Sequence, residues 1–175
     1  NNEEATREMI DPDGWLHTGD VGRFVDGRLQ ITDRIKHMIV NAGGKNIYPG
    51  PIEDQFKTSP WIDQIMVVGE AKAFMAALIV PDFDSLQAFA SENGIPSTPV
   101  DELLRHPAVQ GVYNKVIREF SRELASHEKV RDFRLLPEAF TVESGDMTPT
   151  MKLKRKVIEA KYAQLIEEMF HEKGD

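Results

Sequence analysis

The chain contains no cysteine among its 175 residues, which excludes disulfide bonds and thiolate metal ligands. Its five histidines are scattered and never pair at helical spacing, so the sequence predicts no metal site. No apolar run approaches the roughly 20 residues of a membrane-spanning helix. The net charge of -8 at pH 7 argues against a nucleic-acid partner. What remains is a chain with the composition of an ordinary globular domain, 41% hydrophobic and 29% charged.

Strand patterns dominate the first half of the chain. Residues 22–32 read as a β-hairpin around Asp26-Gly27, the strongest short signal for two antiparallel strands. A short apolar strand at 37–40 runs into a loop dense in glycine and proline. Two nearly continuous apolar runs, at 62–69 and 74–80, predict strands that are covered on both faces. A last strand is predicted to begin at residue 130.

Helix signals alternate with these strands. Five helices are predicted: one after Pro51, one from a cap at Asp82 or Asp84 to Gly94, one capped by Thr98, one over 107–126 and one over 153–171. The sequence therefore predicts an α+β fold, with a small mixed or antiparallel sheet that is flanked by helices and preceded by a β-hairpin.

The last predicted helix carries its charges against the helix dipole. Its first turn holds Lys154, Arg155 and Lys156, next to the orphan N–H groups that favour anions. One interpretation is a solvated helix end whose cost is screened by salt. The other is a cationic helix start that binds an anion such as phosphate. A flexible polar loop over 141–150 would deliver Lys152, which follows it, to the same anion.

Two further stretches combine glycine with charge. Asp20 lies in His-Thr-Gly-Asp between Gly19 and Gly22, two glycines that let the backbone pass close to another molecule or another part of a protein. Such an acid is either an ordinary surface-loop residue or a ligand-binding carboxylate. Gly43 and Gly44, in Ala-Gly-Gly-Lys, are compatible with a tight turn and with close approach of a thin ligand.

Three stretches together resemble the C-terminal end of the adenylate-forming acyl-CoA synthetases. They are DGWLHTGD at 13–20, ITDRIKHMIVNAGGKNIYPGPIE at 31–53 and TPTMKLKRK at 148–156. Their order and spacing are those of the family. The GGKNIYPGPIE stretch and the extra helical segment at about 97–126 look most like long-chain fatty acid–CoA ligases.

The resemblance implies roles for residues of the first two motifs. Asp20 would bind the ribose hydroxyls of AMP, and a carboxylate that accepts two hydroxyl protons suits that task. Arg34 would assist at the same ribose. Lys36 matches the hinge about which the domain rotates. The CoA or pantetheine channel would be lined by Gly43, Gly44 and Lys45.

The third motif would supply the catalytic lysine. Lys152 matches it because Lys-Leu-x-Arg follows the family's Lys-Ile-x-Arg pattern. The family's usual glycine before that lysine is Met151 here, which leaves Lys154 as the alternative to Lys152.

The resemblance also implies a division of the chain and its chemistry. Residues 1–33 would be the last piece of a large AMP-binding domain, and 34–175 a C-terminal lid with a long-chain-type helical insertion at about 97–126. The parent enzyme would join a fatty acid to CoA with ATP and Mg²⁺, through acyl-AMP, using the N-terminal domain that is missing here. The fragment alone would be inactive, with no tightly bound cofactor. A cytoplasmic location is implied, and peripheral attachment to a membrane is compatible with it.

Two other functions remain open from the sequence. One is an adenylation domain that serves an acyl carrier protein instead of free CoA. The other is a stand-alone, non-catalytic binding module that shares the lid fold.

Overall fold

The structure is a computed structural model that describes residues 2–96 and 98–171, and it confirms the α+β class. The helices are α1 (Glu3–Met9), α2 (Pro49–Phe56), α3 (Phe83–Glu92), α4 (Val100–Arg105), α5 (Pro107–Phe120), α6 (Arg155–Lys161) and α7 (Ala163–His171). The strands are β1 (Asp20–Val25), β2 (Arg28–Arg34), β3 (Ile39–Val40), β4 (Asn46–Ile47), β5 (Ile62–Val68), β6 (Met75–Pro81) and β7 (Val130–Leu135). No helix within these ranges has both the length and the apolarity needed to cross a membrane.

The main sheet is mixed, as predicted, with the order β5-β6-β7. β6 pairs antiparallel with β5 and parallel with β7, and every residue of β6 is buried. Alternate residues of this strand belong to two separate cores, because successive side chains point to opposite faces. Met75 and Ile79 face the core that α2, α3, α4 and α5 cover, whereas Leu78 and Val80 face the core that includes α6 and α7. The prediction of a strand covered on both faces is confirmed.

The hairpin β1–β2 lies outside this sheet and turns at Asp26-Gly27 as predicted. Both turn residues have positive φ, at 50° and 74°, which matches the twist of a two-residue hairpin turn. Its large apolar side chains are poorly covered: Phe24 is 77% exposed and Leu29 61%. The hairpin thus contributes little to either core.

Several predicted boundaries are wrong. Residues 35–37 form a 3-10 turn, which shortens the strand predicted at 37–40 to two residues. The helix predicted to reach residue 126 ends at Phe120, where Ser121 turns inward and its hydroxyl donates to the Val130 carbonyl. Thr98 is not the cap, because Pro99 is the residue directly before α4 and no side chain caps that helix.

The C-terminal segment and the N-terminus also differ from expectation. The helix predicted over 153–171 is two helices that meet at Tyr162. The break re-aims α7 so that Met169 is fully buried and Phe170 packs on Phe74, with ring centroids 5.0 Å apart. The short helix α1 has no buried residue and no hydrophobic stripe, so periodicity gave no sign of it.

Because the hairpin buries so little, we expect its amides to open before those of the central strand. Hydrogen exchange of the 175-residue chain should show residues 20–34 exchanging well ahead of β5 and β6. The large apolar contacts that protect β6 are missing from the hairpin. Equal protection of the two regions would contradict a domain boundary near residue 33.

Candidate functional site

A cleft of about 930 Å³ separates the end of the hairpin from the body of the chain. Four of the predicted site residues line it: Asp20, Arg34, Lys36 and Lys152. They come from β1, β2, the 3-10 turn and the segment before α6, so residues far apart in sequence meet here. The remaining predicted residues, from the glycine turn, are not among the described residues that line the cleft.

Asp20 and Arg34 form an ion pair at the hairpin end of the cleft. They are opposite each other in the β1–β2 register, and Arg34 Nε lies 2.9 Å from Asp20 Oδ1. Both side chains keep contact with solvent, at 24% and 48% exposure for Asp20 and Arg34. A carboxylate oriented by a guanidinium offers acceptors and donors side by side, which is what recognition of neighbouring hydroxyls needs.

Lys152 enters the cleft from a tight turn that closes on Thr148. The Thr148 N–H donates to the Lys152 carbonyl at 2.8 Å, and the Lys152 N–H donates back to Thr148 Oγ1 at 3.1 Å. The Met151 N–H closes the turn on the Thr148 carbonyl. The composition of residues 141–150 predicted a flexible loop. Local hydrogen bonds of Thr148, one of them through its side chain, give the end of that segment a defined turn.

Met151 has φ of 59°, the left-handed region that glycine adopts most easily. This is the position where the resemblance expects glycine. A non-glycine residue in this conformation costs about 1 kcal/mol. Lys152 follows Met151 in the chain and lines the cleft. Lys154 lies beyond the turn as the residue before α6 and is not among the described residues lining the cleft.

The turn is anchored by Asp146, which sequence reasoning missed. Asp146 is fully buried, and its Oδ2 accepts from Ser144 Oγ at 2.7 Å and from Lys161 Nζ at 2.8 Å. Its carbonyl accepts from the Lys154 N–H. Burial raises the pKa of Asp146, but the hydrogen bonds from Lys161 and Ser144 and the lysine charges outweigh it, so the pKa is lowered overall.

Arg155 also contradicts the interpretation of a basic helix start that faces an anion. Its side chain turns inward, with Nη1 2.6 Å from Glu53 Oε1 and Nη2 donating to the Val67 carbonyl. Glu53 Oε1 accepts from the Val67 N–H as well, at 2.8 Å. Glu53 and Arg155 are 7% and 12% exposed, the latter by its side chain, so the pair is a buried tie between α2, β5 and α6. In the sequence, the only sign of this pair is the acidic residue Glu53 within the predicted helix after Pro51.

Lys152, in contrast, remains available. Among the described residues it forms no ion pair, and its side chain is exposed to the cleft. The cleft lining therefore combines an oriented carboxylate–guanidinium pair with an ammonium group that forms no ion pair among the described residues. That arrangement can bind a ligand with hydroxyl groups at one end and negative charge at the other.

The glycine turn lies away from this cleft. Asn41 organises it: its N–H donates to the Lys45 carbonyl, and its Oδ1 accepts from the Lys45 N–H at 2.9 Å. Gly44 has φ of 70°, which a side chain would strain. Gly43 has no such constraint, and a Cβ there would meet only Asn41 Oδ1 at 3.4 Å. The two candidate functional regions are thus separate parts of one body.

Comparison with known proteins identifies the family of this chain. Residues 36–174 match the family of AMP-binding enzyme C-terminal domains, and the chain belongs to it. The chain is 40% identical over 172 residues to a long-chain-fatty-acid–CoA ligase, FadD15, of Mycobacterium tuberculosis, and 38% identical over 189 residues to the long-chain-fatty-acid–CoA ligase ACSBG2 of Gallus gallus. Each match covers 97% of this chain, and 28% and 25% of those proteins respectively. The chain therefore spans about a quarter of the length of these relatives.

A solved structure has the same fold. The adenylation domain of a carboxylic acid reductase from Segniliparus rugosus, in complex with AMP and a carboxylic acid, superposes with a TM-score of 0.78. It is 26% identical, and the match covers 97% of this chain and 25% of that one. The prediction of a lid fold from adenylate-forming enzymes is confirmed.

Asp146 makes the stability of this region depend on pH. Its pKa is lowered on folding, so its contribution is present above the unfolded value of about 3.9 and is lost as pH falls through the folded value. We expect Asp146→Asn to cost about 1–3 kcal/mol at pH 7 and less at pH 3, measured by urea unfolding. Glu143→Gln, an exposed acid of the same segment, should change little at either pH. A deficit for Asp146→Asn that does not shrink on acidification would contradict this assignment.

Proposed function

We propose that this chain is the C-terminal part of a long-chain fatty acid–CoA ligase. The observation that carries the proposal is the 40% identity to such a ligase along 97% of the chain. The cleft geometry supports it, since Lys152 lies across one cavity from the Asp20–Arg34 pair. The substrates would be a fatty acid, ATP and CoA, bound largely by the N-terminal domain of the parent enzyme.

The first half-reaction would use the cleft as it stands. Asp20 accepts hydrogen bonds from the ribose hydroxyls of ATP, and Arg34 holds that carboxylate in place. A fatty-acid carboxylate oxygen attacks the α-phosphorus, the bond to the bridging oxygen breaks, and pyrophosphate leaves. The Lys152 ammonium group stabilises the negative charge that builds on the phosphoryl oxygens, an effect that is large in a water-poor cleft.

The second half-reaction would use the other functional region. Rotation about Lys36 brings the glycine turn towards the acyl-adenylate, where Gly43, Gly44 and Lys45 line the pantetheine path. The CoA thiolate attacks the acyl carbonyl, the acyl–phosphate bond breaks, and AMP leaves with its phosphate oxygen. The separation of the two regions on one body supports this division of labour.

The rest of the chain fits the same proposal. The exposed Phe24 and Leu29 of the hairpin suit packing against the large domain, to which residues 1–33 would belong. Mg²⁺ would neutralise the phosphates of ATP in the first step and would be bound mostly by the large domain. The proposed location is cytoplasmic, and the fragment alone would not turn over.

The acceptor deserves a direct test, because one solved structure with this fold joins an adenylation domain to a carrier protein. That didomain, of a carboxylic acid reductase, is 27% identical, compared with 40% for the fatty-acid ligase. We therefore propose CoA as the acceptor. Offering the intact enzyme either CoA or a phosphopantetheinylated carrier, and measuring thioester, should give product with CoA. Product with the carrier alone would overturn the choice.

Lys152→Ala in the parent enzyme should cripple the first half-reaction. Removing one group that stabilises transition-state charge typically lowers the rate about a hundred- to a thousandfold. ATP–pyrophosphate exchange should fall by that order. Thioester formation from supplied acyl-adenylate should stay nearly intact, because the rotated lid carries Lys152 away from the reacting atoms.

Lys154→Ala is the matched control, two residues away on the same segment. It should affect neither half-reaction. A deficit in Lys154→Ala instead would move the role by two residues, and loss of both half-reactions in Lys152→Ala would refute the mechanism.

Two variants test rotation about the hinge. Lys36→Pro fixes φ and should hold the lid in one orientation, so adenylate formation persists while thioester formation slows. Gly43→Leu should have the same effect by filling the pantetheine path, and the backbone at Gly43 tolerates a side chain. Single-turnover measurements of each half-reaction separate these effects. Equal losses in both half-reactions, in both variants, would contradict a rotating lid.

A further inference from the structure

Asp33, the residue before Arg34, uses both of its carboxylate oxygens to join two parts of the chain. Its side chain is 5% exposed. Oδ1 accepts from the Arg34 N–H at 2.6 Å and lies 3.5 Å from His37 Nδ1, both in the 3-10 turn region. Oδ2 accepts from the Gly50 N–H at 2.8 Å, at the start of α2. One carboxylate thus contacts the segment around Lys36 and the body beyond it.

The start of α2 is built to receive this carboxylate. Pro49 and Pro51 have no N–H, so Gly50 supplies the single backbone donor of the first three helical positions. Tyr48, the residue before the helix, makes no side-chain cap. Asp33 takes the place of the missing cap, and the positive end of the helix favours its charge.

Glycine at position 50 also leaves room for the contact. A Cβ added there would lie 3.0 Å from Asp33 Oδ2 and 3.3 Å from the Thr32 carbonyl oxygen. These contacts would be tighter than most that real Cβ atoms make, so an alanine at position 50 would push the Asp33 carboxylate or the Thr32 carbonyl away by a few tenths of an ångström.

We propose that Asp33 is a positioning residue that latches the body of the chain in the orientation where Lys152 faces the Asp20–Arg34 pair. Asp33 precedes Lys36 and Gly50 follows it, so any large rotation about Lys36 separates Asp33 Oδ2 from Gly50 N–H. The consequence for catalysis rests on the proposed function, whereas the latch itself does not. Adenylate formation would occur with the latch closed, and thioester formation would require it to open.

The strength of the latch can be bounded. A hydrogen bond to a charged group, net of competition with water, shifts an equilibrium by roughly tenfold to a hundredfold. That is enough to bias the orientation without making rotation too slow for turnover. Asp33→Ala should therefore shift the population of orientations, whereas Asp33→Asn, which keeps an acceptor oxygen, should shift it less.

The orientation can be measured on the 175-residue chain without any activity. The chain has no cysteine, so spin labels can be placed at Arg28→Cys on the hairpin and Ala88→Cys on α3, both exposed positions. The distance distribution from double electron–electron resonance should be narrow in this background. Asp33→Ala and Gly50→Ala should both broaden or shift it, the second by pushing Oδ2 away from the helix side.

Asp101→Ala is the matched control, because Asp101 is an exposed acid in the first turn of another helix, α4, and does not bridge the hinge. It should leave the distribution unchanged. Unchanged distributions in both Asp33→Ala and Gly50→Ala would overturn the latch. So would a shift of equal size in Asp101→Ala.

In the intact ligase the latch predicts a split between half-reactions. Asp33→Ala should slow ATP–pyrophosphate exchange by about tenfold while thioester formation from acyl-adenylate is unchanged or faster. Equal loss of both, which a merely structural role would give, would overturn it. Failure of the proposed function would look different: Lys152→Ala would then leave pyrophosphate exchange intact, whatever the spin-label distances show.

Discussion

The buried ion pair between Glu53 and Arg155 is the interaction on which the arrangement of the site depends. A buried charge pair is costly unless its remaining hydrogen-bonding groups are satisfied. Here Arg155 also donates to the Val67 carbonyl, and the Val67 N–H donates to the same Glu53 oxygen. The three groups lock α2, β5 and α6 together. Because α2 follows the glycine turn and α6 follows the Lys152 turn, this tie places both functional regions on the same packed body.

Local hydrogen bonds hold each of the two functional regions on this body. The Lys152 turn is closed by Thr148 and anchored through Asp146, and the glycine turn is closed by Asn41. Neither region needs to move on its own. On the proposed mechanism, a change at Lys36 exchanges one region for the other at the same substrate, and the contact of Asp33 with α2 biases which one is presented.

Much of the fold follows from local chemistry. Asp26-Gly27 predicts the hairpin because both residues tolerate positive φ, and the apolar runs predict β5 and β6 because strands covered on both faces exclude polar side chains. The helix ends were less predictable. α5 ends at Phe120, and the Ser121 hydroxyl then donates to the Val130 carbonyl in β7, a contact that helical periodicity does not show. The break at Tyr162 likewise has no local glycine or proline to announce it.

The sequence by itself determined the hairpin, the three strands of the main sheet, most helices, the family resemblance and the residue types at Asp20, Arg34 and Lys152. Tertiary structure alone decided which charged side chains form ion pairs and which remain exposed to solvent. Arg155 and Lys152 look alike within one basic cluster, yet Arg155 pairs with a carboxylate 102 positions away while Lys152 stays open to the cleft. The hydrophobic periodicity of a sequence indicates only local structure, over a few residues along the chain. The fate of a charge depends on a partner that only the folded chain brings near.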